Sequence, residues 1–374
     1  MNAAVKPDPA FSGSKYQQLL PDLLVFEDRS SKDIDSGLRS RLQALLFPSW
    51  LGSLGYCESY AYPPVQRVAF LREHTGEMRR VLFYNERKVA GFLQEIEIVG
   101  PTDPCDELAQ RLMVEHQADL LTLSLQTAKT FPERAAGRRL FEVRHIADDY
   151  KIDLPATLEE YLRQLGKQTR KHLPYYVRRL EREWNDDYSV HVAKGTDISW
   201  DSFAAVLELN QLRMRAKRRA SLWSARLAEH RWPLVRNSGL MVSLRYKNSI
   251  VAATLSLLHG REAYMIVIAH DPQYDRLSLG SVCLWKTIEH VIGLGHTTFH
   301  LMWGESFYKE QFGGRREPLY RVSYTSNLRV AALGHGLRLL RISEATNLWH
   351  RIQRRLTGYV NLMSAPQHYQ EPSK

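Results

Sequence analysis

Cysteine is scarce in this chain of 374 residues: Cys57, Cys105 and Cys283 are the full set. An odd, scattered trio without CxxC spacing excludes a disulfide framework and a thiolate zinc site, and it suits a reducing compartment. Most such cysteines are small buried hydrophobes, a His–Cys nucleophile stays open as an alternative, and no metal is expected. Long apolar runs are missing as well. The most apolar stretch, 250–258, has strand length, well short of the roughly 18 residues a membrane-spanning helix needs. Residues 1–16 hold Pro7 and Pro9 and no apolar block of signal-peptide length, so the expected location is cytoplasmic. No repeat with a period of about 20–50 residues is present, which excludes a solenoid or propeller. A Walker A loop and a GxGxxG fingerprint are both absent.

Positive charge and a sizeable apolar fraction are what the chain does have. Lys plus Arg number 51 against 41 acidic residues, a net charge of +10. That excess favours anionic partners: nucleic acid, anionic lipid or a phosphorylated cofactor. Ordinary soluble proteins carry similar excesses, so charge does not choose among them. Hydrophobic residues make up 44% of the chain, enough for real cores. The length points to two globular units.

Residues 1–20 read as a flexible lead-in. Helical spacing follows over 36–46, then strands over 65–71, 80–84 and 88–99, with a turn at Asn85–Glu86–Arg87. Gly100, Pro101 and Pro104 break the chain before a short helix over 107–117 and a buried strand over 120–125. A second unit starts after Asp148. Thr157 with Glu160 three residues on has a helix-start signature. The basic stretch 161–184 is helical, with an interruption expected at Pro174, and another helix covers 200–215. Strands follow over 240–246, 250–258 and 262–269, the first two joined by the turn Lys247–Asn248–Ser249. A polar loop leads to a helix over 280–293, whose Leu284, Trp285, Ile288, Val291 and Ile292 form a core-facing stripe. A strand over 297–302, a short helix over 305–312 and a strand over 320–326 complete the unit. Residues 330–360 read as basic helices. A helix joining two strands of one sheet implies a right-handed crossover and a locally parallel pair, hence an α/β fold with a mixed sheet.

The most informative junction is Arg276–Leu277–Ser278–Leu279–Gly280–Ser281, where a loop becomes an amphipathic helix. A helix N-terminus offers unpaired amides and the positive end of a dipole, which suit a pyrophosphate. Glycine there lets the backbone approach closely. An ordinary helix cap accounts for the same residues.

From Ile250 to Gly314 the chain resembles the GNAT acyltransferases, in the branch found among bacterial envelope-polysaccharide proteins, some associated with cellulose synthesis. The likeness rests on His270-Asp271-Pro272, on Leu277-Ser278-Leu279-Gly280-Ser281, on Gly293-Leu294-Gly295, and on Phe307-Tyr308-Lys309-Glu310-Gln311-Phe312-Gly313-Gly314. Upstream, Leu165-Gly166-Lys167-Gln168-Thr169-Arg170 and Arg178-Arg179-Leu180 are similar to the branch's basic helix. Leu279 stands where the branch has Pro, His300 where it has a strand-borne Asp, and Trp303 where it has Arg. The resemblance implies two GNAT-like mixed-sheet lobes in tandem, similar to the Fem-type transferases. They would divide as a degenerate lobe at 21–150, an acyltransferase domain at 151–330 and a C-terminal helical extension at 331–374.

The resemblance also implies a chemistry. An acetyl-CoA or longer acyl-CoA would lie between splayed strands, held by Ile266, Ile268, Arg276, Ser278, Leu279, Gly280 and Ser281. Amides of 264–269 would polarise the thioester carbonyl, and holding the reactants in line would supply most of the acceleration. Tyr308 would protonate the departing thiolate, and Lys309 would touch a phosphate or lie in solvent. For the base, His300, Glu305 and Asp271 are the candidates. Asp271 also reads as a turn former, His300 as a structural histidine and Glu305 as a helix cap. Gly100-Pro101-Thr102-Asp103-Pro104 makes a poor phosphate cradle, so the first lobe is expected to shape the acceptor cleft.

The expected acceptor is a small molecule or saccharide, with peripheral association to a membrane synthesis complex and no nucleic acid. Two alternatives stay open: a Fem-type transferase using aminoacyl-tRNA, and a non-catalytic scaffold of a polysaccharide-synthesis assembly.

Overall fold

Thirteen strands join one mixed sheet in a computed structural model that describes residues 24–327, apart from 48, 61–64, 74, 90, 129, 219–220, 222 and 304–306. The sequence readings for 1–20 and 331–374, including the C-terminal basic helices, lie outside the described residues. So does Glu305.

The first half runs β1 (Leu24–Ser30), α1 (Ser36–Ala44), α2 (Leu54–Ser59), β2 (Arg67–Glu73), β3 (Met78–Val89), β4 (Leu93–Val99), α3 (Glu107–Glu115), β5 (Leu120–Gln126), β6 (Arg134–Ala135) and β7 (Arg138–Asp153). The second half runs α4 (Leu158–Gln164), α5 (Lys167–Trp184), β8 (Tyr188–Lys194), α6 (Trp200–Ala216), α7 (Ala225–Ser238), β9 (Gly239–Tyr246), β10 (Ser249–His259) and β11 (Glu262–His270). It continues through α8 (Leu279–Gly293), β12 (Thr298–Trp303), α9 (Phe307–Gln311) and β13 (Arg315–Thr325).

The sequence reading omits β1, α2, β6, β7, β8 and α7, and two of its local expectations differ from the structure. The turn expected at Asn85–Arg87 is continuous strand, and β3 reverses near Gly91, which takes a φ of +82°. Asn85 and Arg87 stay in the ladder because both find partners there: Asn85 Oδ1 accepts from Gln66 N, and Arg87 donates to Glu95. The helical break expected at Pro174 falls instead at Gly166, the N-cap of α5. Pro174 sits inside α5, where it forfeits one i→i−4 bond. Elsewhere local signals act as read. Thr157 Oγ1 accepts from Glu160 N at 3.2 Å, and Lys247 and Asn248 take the positive φ values of a tight hairpin turn.

The strand order is β1-β2-β3-β4-β5-β13-β7-β12-β11-β10-β9-β8. β4/β5 and β11/β12 pair in parallel, each pair joined through a helix, α3 or α8. The halves thus repeat one plan: antiparallel strands, a crossover helix, a parallel partner. Their last strands are exchanged. β7, which closes the first half in sequence, lies against β12, and β13, which closes the second, lies against β5. The two pair with each other in the middle.

Helix α3 buries Leu108, Ala109, Leu112 and Met113 against Leu82, Tyr84, Ile96, Ile98, Leu121 and Leu123. On the other face, Leu38, Leu42, Phe47, Trp50 and Leu54 cover Val68, Phe70, Val81 and Phe83 and reach Leu257 and Tyr264 of the second half. In that half α8 packs with α4 and α5 over Met265, Phe299 and Leu301. Helices α6 and α7 cover Leu255, Val267 and Ala269 on the opposite face. Cys57 and Cys283 are buried, Cys105 is exposed against expectation, all three are free of disulfides, and no described helix is long and apolar enough to cross a membrane.

Candidate active site

The pairing of β11 with β12 is brief. Three rungs hold them: Glu262 with Thr298, Ala263 with Phe299 and Tyr264 with His300. Two backbone irregularities end the ladder. Between β10 and β11 the register slips at Leu255/Ser256, so Ile266 opposes no residue and forms a bulge. In β12, Met302 takes a φ of +57° and the register against β7 shifts between His300 and Trp303. The strands therefore fork, and a gap opens between 265–270 and 301–303.

A helix-borne cation holds each arm of the fork. Arg213 of α6 donates from Nη1 to Ile268 O at 3.3 Å. Lys309 of α9 donates from Nζ to Met302 O at 2.7 Å and Trp303 O at 2.9 Å. Lys309 was read from the sequence as a phosphate contact or a solvated side chain. It is neither: it is 4% exposed, serving carbonyls that β12 leaves without a neighbour. Burial lowers its pKa to about 8, with Asp149 pulling the other way.

At the mouth of the gap stands the N-terminus of α8. Leu277 and Leu279 are fully buried beside Val282 and Cys283, which anchors the turn from inside. Ser278 between them takes a left-handed conformation, φ 55° and ψ 37°, and offers no side-chain cap. Its carbonyl accepts from Ser281 N and Val282 N, while the amides of Leu279 and Gly280 meet no acceptor among the described residues. Gly280 is required by closeness: a Cβ there would lie 3.2 Å from His270 Nδ1 and 3.8 Å from Ile268 Cδ1. Ser278, Gly280 and Ser281 are half-buried, and Arg276 lies at the rim, 2.7 Å from Glu183 of α5. Two amides without acceptors lie at the positive end of the helix dipole, the arrangement that suits an anion.

The matching end of α3 is closed to an anion. Asp106 caps it with a carboxylate that accepts from Ala109 N at 3.1 Å and from Arg80 Nε at 2.7 Å. Gln126 bridges across that half's gap, donating from Nε2 to Gly100 O at 3.2 Å.

Tyr308 is packed against the core cluster that also holds Ile268. Burial pushes its phenol up to about 12, with the Arg213 charge opposing, so it keeps its proton at neutral pH. His300 faces the other side of the sheet. Its Nδ1 donates to Asp149 Oδ2 at 2.5 Å, its Nε2 lies 3.8 Å from Glu262 Oε2, and its ring stacks on Tyr264 at 4.2 Å. Burial works against a charged ring, but Asp149 and Glu262 outweigh it and raise the pKa to about 9. Glu262 answers in kind: its burial cost is overcome by His300 and Tyr264, which lower it to about 2. His300 thus carries a proton at neutral pH, the reverse of a resting base. Asp271 caps the turn 272–277 through Gln273 N at 3.0 Å, the turn-forming role open to it in the sequence.

Sequence reasoning missed Asp149, Glu262, Tyr264 and Arg213. None sits in a motif. Arg213 is one of two basic residues in the last turn of α6, with no motif to mark it. Among the described residues no cluster of His, Cys, Asp and Glu is placed to hold a metal ion.

Comparison with known proteins agrees with a mixed α/β fold built from two repeated halves. Residues 167–310 match the family described as Acetyltransferase (GNAT) domain. The chain is similar in fold to FemX, with a TM-score of 0.55 at 9% identity over 82% of this chain and 99% of FemX. Looser likenesses are to the C-terminal domain of a protein described as a lysylphosphatidylglycerol synthetase from Agrobacterium fabrum, and to a tandem GNAT protein from the clavulanic acid biosynthesis pathway. The first has a TM-score of 0.43 at 14% identity, over 70% of this chain and 85% of that one. The second has 0.40 at 12%, over 81% and 99%. No curated protein matches the sequence.

Proposed function

We propose that this chain transfers an acyl group from a coenzyme A thioester to an amine or hydroxyl of a small molecule or saccharide used in building the bacterial envelope. The uncapped end of α8 at the mouth of the strand fork carries this reading. Leu279 and Gly280 amides would take the pyrophosphate, and the pantetheine arm would run into the gap past Ile266 and Ile268.

The acceptor's lone pair attacks the thioester carbonyl carbon, the C–S bond breaks, and the thiolate takes a proton from Tyr308. Amides of β11 beyond Tyr264, freed by the fork, would polarise the carbonyl. The acceptor's proton goes to a base, for which Glu305 remains the sequence candidate because His300 is already protonated at rest. Placing the chemistry at the cytoplasmic side of an envelope assembly is part of the same proposal.

Acetyl-CoA at about 100 times its Kd should stabilise the chain by about 2.7 kcal/mol. Absence of any shift in melting temperature at millimolar acetyl-CoA and longer acyl-CoA would sink the reading. Tyr308→Phe should lose turnover and keep acetyl-CoA affinity, whereas a scaffold would be indifferent.

FemX favours a second reading, an aminoacyl-tRNA donor. The exposed Lys167, Arg170, Lys171, Arg178 and Arg182 of α5 would suit an RNA backbone. Tight, salt-sensitive tRNA binding without acetyl-CoA binding would select it.

A further inference from the structure

Four buried or half-buried charges alternate in sign at the point where β11 and β12 part. Lys309 of α9 acts on Asp149 of β7, Asp149 holds His300 of β12, and His300 faces Glu262 of β11. Glu262 also accepts from the Tyr264 hydroxyl and feels Lys151 of β7, which pairs opposite His300. Trp50, 5.1 Å from Tyr264 between ring centroids, closes the cluster from the α1–α2 side.

His300 belongs to the last rung of the ladder, opposite Tyr264. Its ring is stacked on Tyr264 within 6° of parallel and held at Nδ1 by Asp149, with Glu262 Oε2 3.8 Å from Nε2. With 8% exposure it reaches no acceptor itself. The Nδ1 bond ties β12 to β7, while the stack on Tyr264 and the charge of Glu262 draw the ring to β11. The carboxylate at Nδ1 comes from β7, the strand the first half contributes to the second.

We propose that Asp149 is a positioning residue of the transfer site: acting through His300, it holds the fork of β11 and β12 at the separation that admits and aligns the donor thioester. This rests on the acyltransferase reading for the donor, but the fork itself can be measured without one.

The test uses the full chain, with Asp149→Asn, Asp149→Glu and His300→Gln as variants. Acetyl-CoA affinity is read by calorimetry from pH 7.5 to 10, and backbone hydrogen exchange is followed over 262–270 and 298–303, corrected for intrinsic rate. At pH 7.5 Asp149→Asn should bind acetyl-CoA about tenfold more weakly, as expected when a site loses alignment, and should exchange faster over 298–303. Asp149→Glu should recover part of both. The wild type should pass into the same state as the pH rises through about 9, a step His300→Gln lacks. Any step near 8 from Lys309 should persist in that variant. Wild-type affinity and exchange in Asp149→Asn would overturn the proposal. Should that variant not fold, a wild type without a step in exchange between pH 8 and 10 overturns it equally. If the wild type binds no acetyl-CoA at any pH, the acyltransferase reading fails, and exchange alone decides the positioning role.

Discussion

Raising the pH from 6.5 to 8 should destabilise this fold by about 2 kcal/mol, at about 1.4 kcal/mol per pH unit for one displaced proton. The source is His300. Its folded pKa of about 9 lies above the ordinary 6.5, so between those values the native state holds a proton that the unfolded chain has released. The stabilisation is therefore complete below pH 6.5 and drains away as the pH climbs to 9. Lys309 has the opposite sign. Its pKa of about 8, down from 10.5, means the unfolded chain keeps its proton longer, and stability is regained from pH 8 upward. The two slopes cancel between 8 and 9. Below 6.5, His270, His290 and His296, whose pKa values burial depresses, make acid unfavourable too. A maximum near pH 6.5, a fall to 8 and a plateau to 9 should appear in urea midpoints followed by circular dichroism. His300→Gln should flatten the fall. A wild-type midpoint that holds or rises between 6.5 and 8, or the same fall in His300→Gln, would refute the assignment of His300 as a buried cation.

Lys309→Met removes the donor to two carbonyls, so the plateau between pH 8 and 9 should become a continued decline in the same urea series. Gly280→Val places a branched side chain where even a Cβ lies 3.2 Å from His270 Nδ1. Acetyl-CoA affinity should drop at least about tenfold by calorimetry, a loss of about 1.4 kcal/mol, because bulk displaces the anion from the amides. Arg321→Ala strips the β13 partner from Glu95, 3.0 Å away and buried, and from Glu97. Leaving those carboxylates under-compensated should cost about 3 kcal/mol in chemical denaturation. A cost below 1 kcal/mol would mean that Arg87 alone satisfies them.

The second half was legible where its signals are local. Strands at 240–246, 250–258 and 262–269 declare themselves through apolar runs and a hairpin turn at 247–249. The helix over 280–293 shows its stripe and ends in glycines. The crossover from β11 through α8 to β12, and with it the place of the open amide end, follows from that order. The 85–87 turn was misread because Asn85 and Arg87 look like surface residues until the partners that bury them are known. β7 left no such trace. Its charged residues Arg138, Arg139, Glu142, Arg144, Asp148 and Asp149 mask the alternation that buries Tyr150 and Ile152.

Sequence by itself determined the strands and helix of the β9–β12 unit and a helix start at Ser278 without a carboxylate cap, since each depends on residues a few positions apart. Tertiary structure alone decided that β7 and β13 change places. Both strands are paired on both edges, and Tyr150 and Ile152 of β7 and Leu319, Val322 and Tyr324 of β13 are buried. That exchange brings Asp149 to His300 across 151 positions, and no local pattern encodes a contact at such range.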